Sequence, residues 1–310
     1  MSMGLDAGSL RIASLPGGRT LEVRRTVAAD ADGLERLYTD LDQDDRYRRF
    51  FSLYLPPRAT IEEWATDNDH GKLRLAAVIR GDQRRAGPEG EPRLVADALC
   101  VPLPDGDGEF ALTVAADWRG WLGPYLLDAL AEAAAALGMP NLQADILTDN
   151  RRMLAVVAAR GYAVLSRPDF NEIRITTGTT GTTPGWPGRH DRPRVLIEAG
   201  RTHSPFHVPL AAAGLQVITC PGPGRRCPAL HGRACPLAGG ADALLFALPP
   251  GDATTAPLAC AHERLHPAAA VCVVDRPGAE VSVAPPGARH LRAASLVDDL
   301  KSALQQGPLT

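Results

Sequence analysis

Two groups of residues in this sequence have the types and spacing for chemistry. The first is the turn Trp118-Arg119-Gly120-Trp121-Leu122-Gly123-Pro124, between the apolar run Glu109-Phe110-Ala111-Leu112-Thr113-Val114 and an alanine- and leucine-rich stretch. A strand that turns through glycines into a helix offers backbone N–H groups and the positive end of the helix dipole, a cradle for an anion such as a phosphate. The same pattern also serves as a bare connection, so the turn alone decides nothing. The second group is Cys220-Pro221, Cys227-Pro228 and Cys235-Pro236, with His231 among them. Thiolates separated by six and seven residues can converge on zinc, with His231 or Cys260 as a fourth ligand, or can hold an iron–sulfur cluster with an outside ligand. A redox switch and ordinary buried or free thiols are the other readings, and the spacing matches none of the common two-residue zinc patterns. Cys100 and Cys272 stand inside apolar runs and read as core.

The elements around the turn follow from periodicity. After it, Leu126, Leu127, Leu130, Ala131, Ala134 and Leu137 recur at spacings of three and four, one buried helix face that Gly138 and Pro140 end. A strand, Leu142 to Leu147, leads to Asn150-Arg151-Arg152-Met153-Leu154, and the next helix ends at Arg160-Gly161-Tyr162. Asn150 can cap that helix, bind a ligand amide, or both. Upstream, Leu21 and Val23 alternate as a strand, Asp30 or Asp32 caps a helix carrying Leu34, Leu37 and Leu41, and the charged cluster Asp42 to Arg49 ends in Phe50 and Phe51. Thr60-Ile61-Glu62-Glu63 starts a short helix containing Trp64. Leu73 to Ile79 and Leu94 to Val101 suit central strands, joined by a hairpin loop from Gly81 to Glu91.

From about Thr20 to Thr176 this order resembles the GNAT superfamily of acyl-CoA-dependent N-acyltransferases: strand, pyrophosphate loop, helix, strand, Asn-x-x-Met-Leu helix, Gly-aromatic end. Asp45-Arg46-Tyr47-Arg48-Arg49-Phe50-Phe51 and Gly108-Glu109-Phe110-Ala111 make it most similar to the bacterial protein-lysine acetyltransferase branch. The resemblance implies acetyl-CoA as co-substrate, an amine acceptor (a protein lysine or a small amine), and Glu109 as general base, since an amine of pKa ~10.4 must lose a proton before it attacks. It implies cofactor contacts from Leu112, Thr113, Val114, Arg119, Gly120, Trp121, Leu122, Gly123, Asn150 and Met153, with the region of Asp42 to Tyr54 bordering the acceptor groove or forming a solvated helix face. The sequence departs from the family in a turn one residue short, in Pro124, which lacks an N–H, and in Val157, where many members carry a tyrosine acid. A non-catalytic acyl-CoA-binding or metal- or redox-sensing protein is the competing reading.

The expected architecture is α/β: a loose lead over residues 1–18, a GNAT-like mixed-sheet domain over 19–176, a Thr/Gly/Pro linker over 177–193, and a small three-layer parallel-sheet domain, flavodoxin-like or related, over 194–307. A chain of 310 residues accommodates two such domains. Its net charge of −3 and the lack of a basic stripe speak against nucleic acid, and no run is long enough to span a membrane. The start of the sequence lacks the pattern of a secretory signal, so a cytoplasmic protein is expected.

Overall fold

The computed structural model describes residues 9–67, 71–81, 92–169, 171–181, 183–188, 191–200, 204–220, 227–248, 252–275 and 287–306. Residues 1–8 of the expected lead, 82–91 of the expected hairpin loop and Pro221 lie outside them. The chain forms two compact units: Met1–Ala144 with Asn150–Ala159, and Asp145–Asp149 with Arg160–Thr310. Among the described residues no helix is long and apolar enough to cross a membrane.

In the first unit, β1 (Ser9–Ser14), β2 (Thr20–Arg25), β3 (Leu73–Arg80), β4 (Arg93–Pro102) and β5 (Gly108–Val114) form an antiparallel sheet in that order. Ser9–Ser14 was expected to be loose. It pairs through its backbone at the sheet edge, where Ile12 stays 67% exposed, so no buried face marked it in the sequence. Strand β6 (Asn141–Leu147) runs parallel to β5, but their register covers only Gly108↔Leu142 and Glu109↔Gln143. Glycine is needed at this root because a Cβ on Gly108 would lie 2.4 Å from Cys100 Sγ and 2.9 Å from Met139 Sδ. Beyond it the two strands are unpaired, and the later part of β5 is left to face other elements.

Helix α1 (Ala31–Thr39) buries Leu34, Leu37 and Tyr38, α2 (Gln43–Phe50) is capped by the Asp42 carboxylate on Asp45 N, and α3 (Arg58–Thr66) buries Ile61 and Ala65. Helix α4 (Leu122–Ala136) buries Leu126, Leu127, Leu130, Ala131 and Ala134 as its periodicity requires, whereas Leu137 falls past its end and is 40% exposed. Helix α5 (Arg151–Arg160) follows β6.

The second unit holds an antiparallel hairpin, β7 (Ala163–Asp169) and β8 (Glu172–Gly178), then β9 (Arg194–Glu198), α6 (His207–Ala212), β10 (Gln216–Cys220), α7 (Pro236–Gly239), β11 (Ala243–Phe246), α8 (Thr255–Leu265), β12 (Ala270–Asp275), β13 (Arg289–Arg292) and α9 (Leu296–Gln306). Strands β10-β9-β11-β12-β13 are parallel in that spatial order, and β7 joins the outer side of β10 antiparallel through Val164 and Thr219. Successive residues of β9 alternate between two cores, Leu196 with Leu237 and Leu258, Val195 and Ile197 with Leu210 and Leu300, so helices cover both faces. The segment expected to be a plain linker is anchored. Trp186 packs on the first of these cores, its Nε1–H donates to Leu237 O at 2.6 Å, and Arg194 stacks on its ring.

Candidate active site

The end of β5, the turn into α4 and the faces of α2 and α5 enclose a cavity of about 710 Å³ in the first unit. Of the residues expected to hold a cofactor, Leu112, Thr113, Val114, Arg119, Gly120, Gly123, Asn150 and Met153 line it. Trp121 and Leu122 do not. Trp121 is 45% exposed and stacks edge-on against Trp118, and Leu122 is buried in the core.

The turn works because Gly120 takes a φ of 101°, a left-handed conformation costly to any side chain. It brings the chain to the first turn of α4, where no side chain caps the helix. The N–H groups of Gly120, Trp121, Leu122 and Gly123 have no acceptor among the described residues, as the first donors of a helix require. Gly123 faces α5, where a Cβ would meet Val156 Cγ2 in ordinary contact at 3.4 Å. On the far wall Asn150 caps α5, its Oδ1 accepting Met153 N–H at 3.1 Å, so capping and a cavity-lining position coincide.

Charge is concentrated along α2, which lines the cavity with Asp45, Arg48 and Arg49, while α5 adds Arg152. Arg119 donates through Nη2 to Asp45 and through Nε to Val114 O at 3.2 Å. Asp45 also faces Arg48 Nη1 at 3.5 Å. Arg49 donates through Nε to Thr113 Oγ1 at 2.9 Å. Behind it lies a buried network: Arg74 donates to Tyr38 OH at 2.8 Å and to Asp97 Oδ2 at 3.0 Å, and Tyr38 OH donates to the same oxygen at 3.0 Å. Burial beside Asp97 pushes the Tyr38 phenol far up, so it remains a donor. Asp45, Arg48, Arg49 and Arg152 were not singled out as cofactor ligands in the sequence. Their one signal is the spacing of three and four that puts Asp45, Arg48 and Arg49 on a single helix face.

Glu109 is exposed at the start of β5 and is not part of the cavity wall. It shares a strand face with Thr113, roughly 13 Å away at 3.3 Å per residue. The neighbouring Asp107 has a different task. Buried, with its carboxyl held above the usual range by burial, it accepts from Asn141 Nδ2 at 3.0 Å and Gln143 Nε2 at 2.8 Å and clamps the root of β5 to β6. Val157 is fully buried and presents no proton donor.

Among the described residues no group of three or more His, Cys, Asp or Glu is placed to hold a metal ion. The expectation of zinc or an iron–sulfur cluster on Cys220, Cys227, Cys235 and His231 therefore gains no support. Cys220 ends a strand, His231 is exposed on a 3₁₀ turn, and Cys235 belongs to the core with Leu237 and Ala238. Burial pushes the Cys235 thiol up to about 11 and raises Cys227, which keeps both protonated at neutral pH. Pro228 and Pro236 begin short helical turns, which gives two of the three Cys-Pro pairs a structural reason.

No protein-family model matches the chain. Over about half its length it is similar to solved acetyltransferases of the GNAT family. The GNAT domain of S. lividans PAT is 22% identical, over 54% of this chain and 96% of that one, with a TM-score of 0.45. A GNAT superfamily phosphinothricin acetyltransferase from Sinorhizobium meliloti, in complex with AcCoA, is 18% identical over 51% and 88%, with a TM-score of 0.40. A putative acetyltransferase, yncA, from Salmonella typhimurium with its cofactor acetyl-CoA is 14% identical over 51% and 94%, also at 0.40.

Proposed function

We propose that the first unit is an acyl-CoA-dependent N-acyltransferase that moves an acetyl group from acetyl-CoA to an amine, either a protein lysine or a small amine. One observation carries the reading: the motif turn, with its N–H groups lacking acceptors, opens into a cavity whose other walls are the end of β5 and the Asn150–Met153 turn of α5. The donors of Gly120 to Gly123, with Arg119, suit a pyrophosphate. Leu112, Thr113 and Val114 border the space for the thioester arm, with Met153 opposite.

In this reading the amine loses a proton to Glu109, directly or through water, and its lone pair attacks the thioester carbonyl. The N–C bond forms, the C–S bond breaks, and the thiolate of a thiol of pKa ~8.5 leaves without a dedicated acid, consistent with Val157. The second unit supplies a flavodoxin-like sheet in this proposal, because its parallel strands follow the order second, first, third, fourth, fifth.

A calorimetric titration of acetyl-CoA, with thiol release in the presence of amines, tests the assignment. Glu109→Gln is expected to lower turnover roughly 100-fold with binding retained. Turnover unchanged in that variant removes Glu109 from the mechanism, and absence of acetyl-CoA binding removes the transferase reading. The position of Glu109 outside the cavity wall favours a second reading, a non-catalytic acyl-CoA-binding protein, for which binding without thiol release is the signature.

A further inference from the structure

The charges behind the cavity do not balance. One carboxylate, Asp97, is completely buried and faces two guanidinium groups: Arg74, bonded at 3.0 Å and 2% exposed, and Arg49, 4.0 Å away and 11% exposed. Asp97 sits within a strand and Arg74 stacks on Trp64 at 4.8 Å, so that pair is fixed. Arg49 is the less closely paired cation, 4.0 Å from Asp97 and over the Phe50 ring at 4.9 Å. Its Nε is used by Thr113, and its Nη2 is buried without a hydrogen-bond acceptor. A largely buried guanidinium whose nearest carboxylate is shared and not hydrogen-bonded to it gains from a closer anion. Arg49 lines the cavity beside Thr113, so that anion can come from a molecule bound there. The other acid of the wall, Asp45, is already engaged by Arg119 and Arg48.

We infer that Arg49 forms a carboxylate subsite, so that one of the two reacting molecules carries a carboxylate near its reacting end. The planar fork of arginine matches a carboxylate, and a wall holding Arg48 and Arg49 repels a purely cationic amine. The carboxylate belongs either to the amine acceptor, as in an amino acid, or to the acyl chain, as in a dicarboxylic acyl-CoA. The inference rests on the acyl-CoA reading of the same cavity and specifies its substrate class.

The experiment compares kcat/KM for matched partners on the full chain: 4-aminobutyrate against butylamine with acetyl-CoA, then succinyl-CoA against acetyl-CoA with butylamine, and a lysine peptide as a third acceptor. A preference of roughly 10- to 100-fold for the carboxylate-bearing partner is expected in one arm, the size of a charged hydrogen bond. That arm identifies the source. In Arg49→Gln the ratio falls toward one, and Arg49→Lys restores part of it, which a merely structural arginine would not do. A ratio near one in the unaltered protein, a ratio unmoved in Arg49→Gln, preference for the lysine peptide, or no turnover of any carboxylate-bearing partner overturns the subsite. Acetyl-CoA binding is measured separately by calorimetry. Binding without carboxylate preference refutes the subsite alone, whereas no binding refutes both.

Discussion

Arg119 is the one guanidinium in the motif turn, and Asp45 holds it. Their side chains are 26% and 15% exposed, intermediate between a surface pair and a buried one. A pyrophosphate that takes Arg119 must displace Asp45 or bind beside its negative charge. The pair is worth about 1 kcal/mol, at the upper end for exposed ion pairs because it is partly shielded from water. Removing the charge in Asp45→Asn returns that amount to the ligand, so acetyl-CoA is expected to bind roughly fivefold tighter. Arg119→Gln should bind at least ~10-fold weaker, through loss of a charge-assisted hydrogen bond. Calorimetric titrations at low and high salt measure both, and the gain in Asp45→Asn should shrink as salt screens the surviving guanidiniums. If Asp45→Asn binds no more tightly, or more weakly, then Asp45 orients Arg119 for the ligand and does not compete for it.

Two further outcomes test the packing. Gly108→Ala should cost about 1–3 kcal/mol in urea unfolding, because its Cβ collides with Cys100 and Met139, and adding Cys100→Ala should recover part of the loss; equal stability of Gly108→Ala would show that the root of β5 is not close-packed. His266 accepts the Cys235 N–H through Nε2 at 3.1 Å, and burial with His262 nearby holds its pKa below the usual value. A depressed folded pKa gives stability that is complete above pH ~6.5 and is lost as pH falls through the folded value. Thermal unfolding of the second unit should therefore drop in weak acid, and His266→Gln should flatten that drop; an unaltered slope would exclude His266.

The face of α4 was legible because Leu126, Leu127, Leu130, Ala131 and Ala134 are separated by helical periods and all reach the core. The glycine turn was legible because few residues other than glycine adopt the φ of Gly120. The α2 wall was not. Asp45, Arg48 and Arg49 have the spacing of a solvated face, and only their placement against Thr113 and Arg119 makes them part of a cavity. Trp186 was lost in a segment whose average composition is polar, although one aromatic ring and one indole N–H suffice to anchor it. The surroundings of the cysteines were not legible for a related reason: sequence spacing carries no information on burial, and burial raises the Cys227 and Cys235 thiols above their ordinary pKa.

The antiparallel step between β7 and β10 limits how this chain can be shortened. A fragment that stops near Thr176 retains Val164 but discards Thr219, baring a ladder edge that the complete chain covers. Such an edge is adhesive toward a second copy of itself. A chain ended near Thr176 is therefore expected to self-associate, which gel filtration reads directly; a monomeric fragment would refute it.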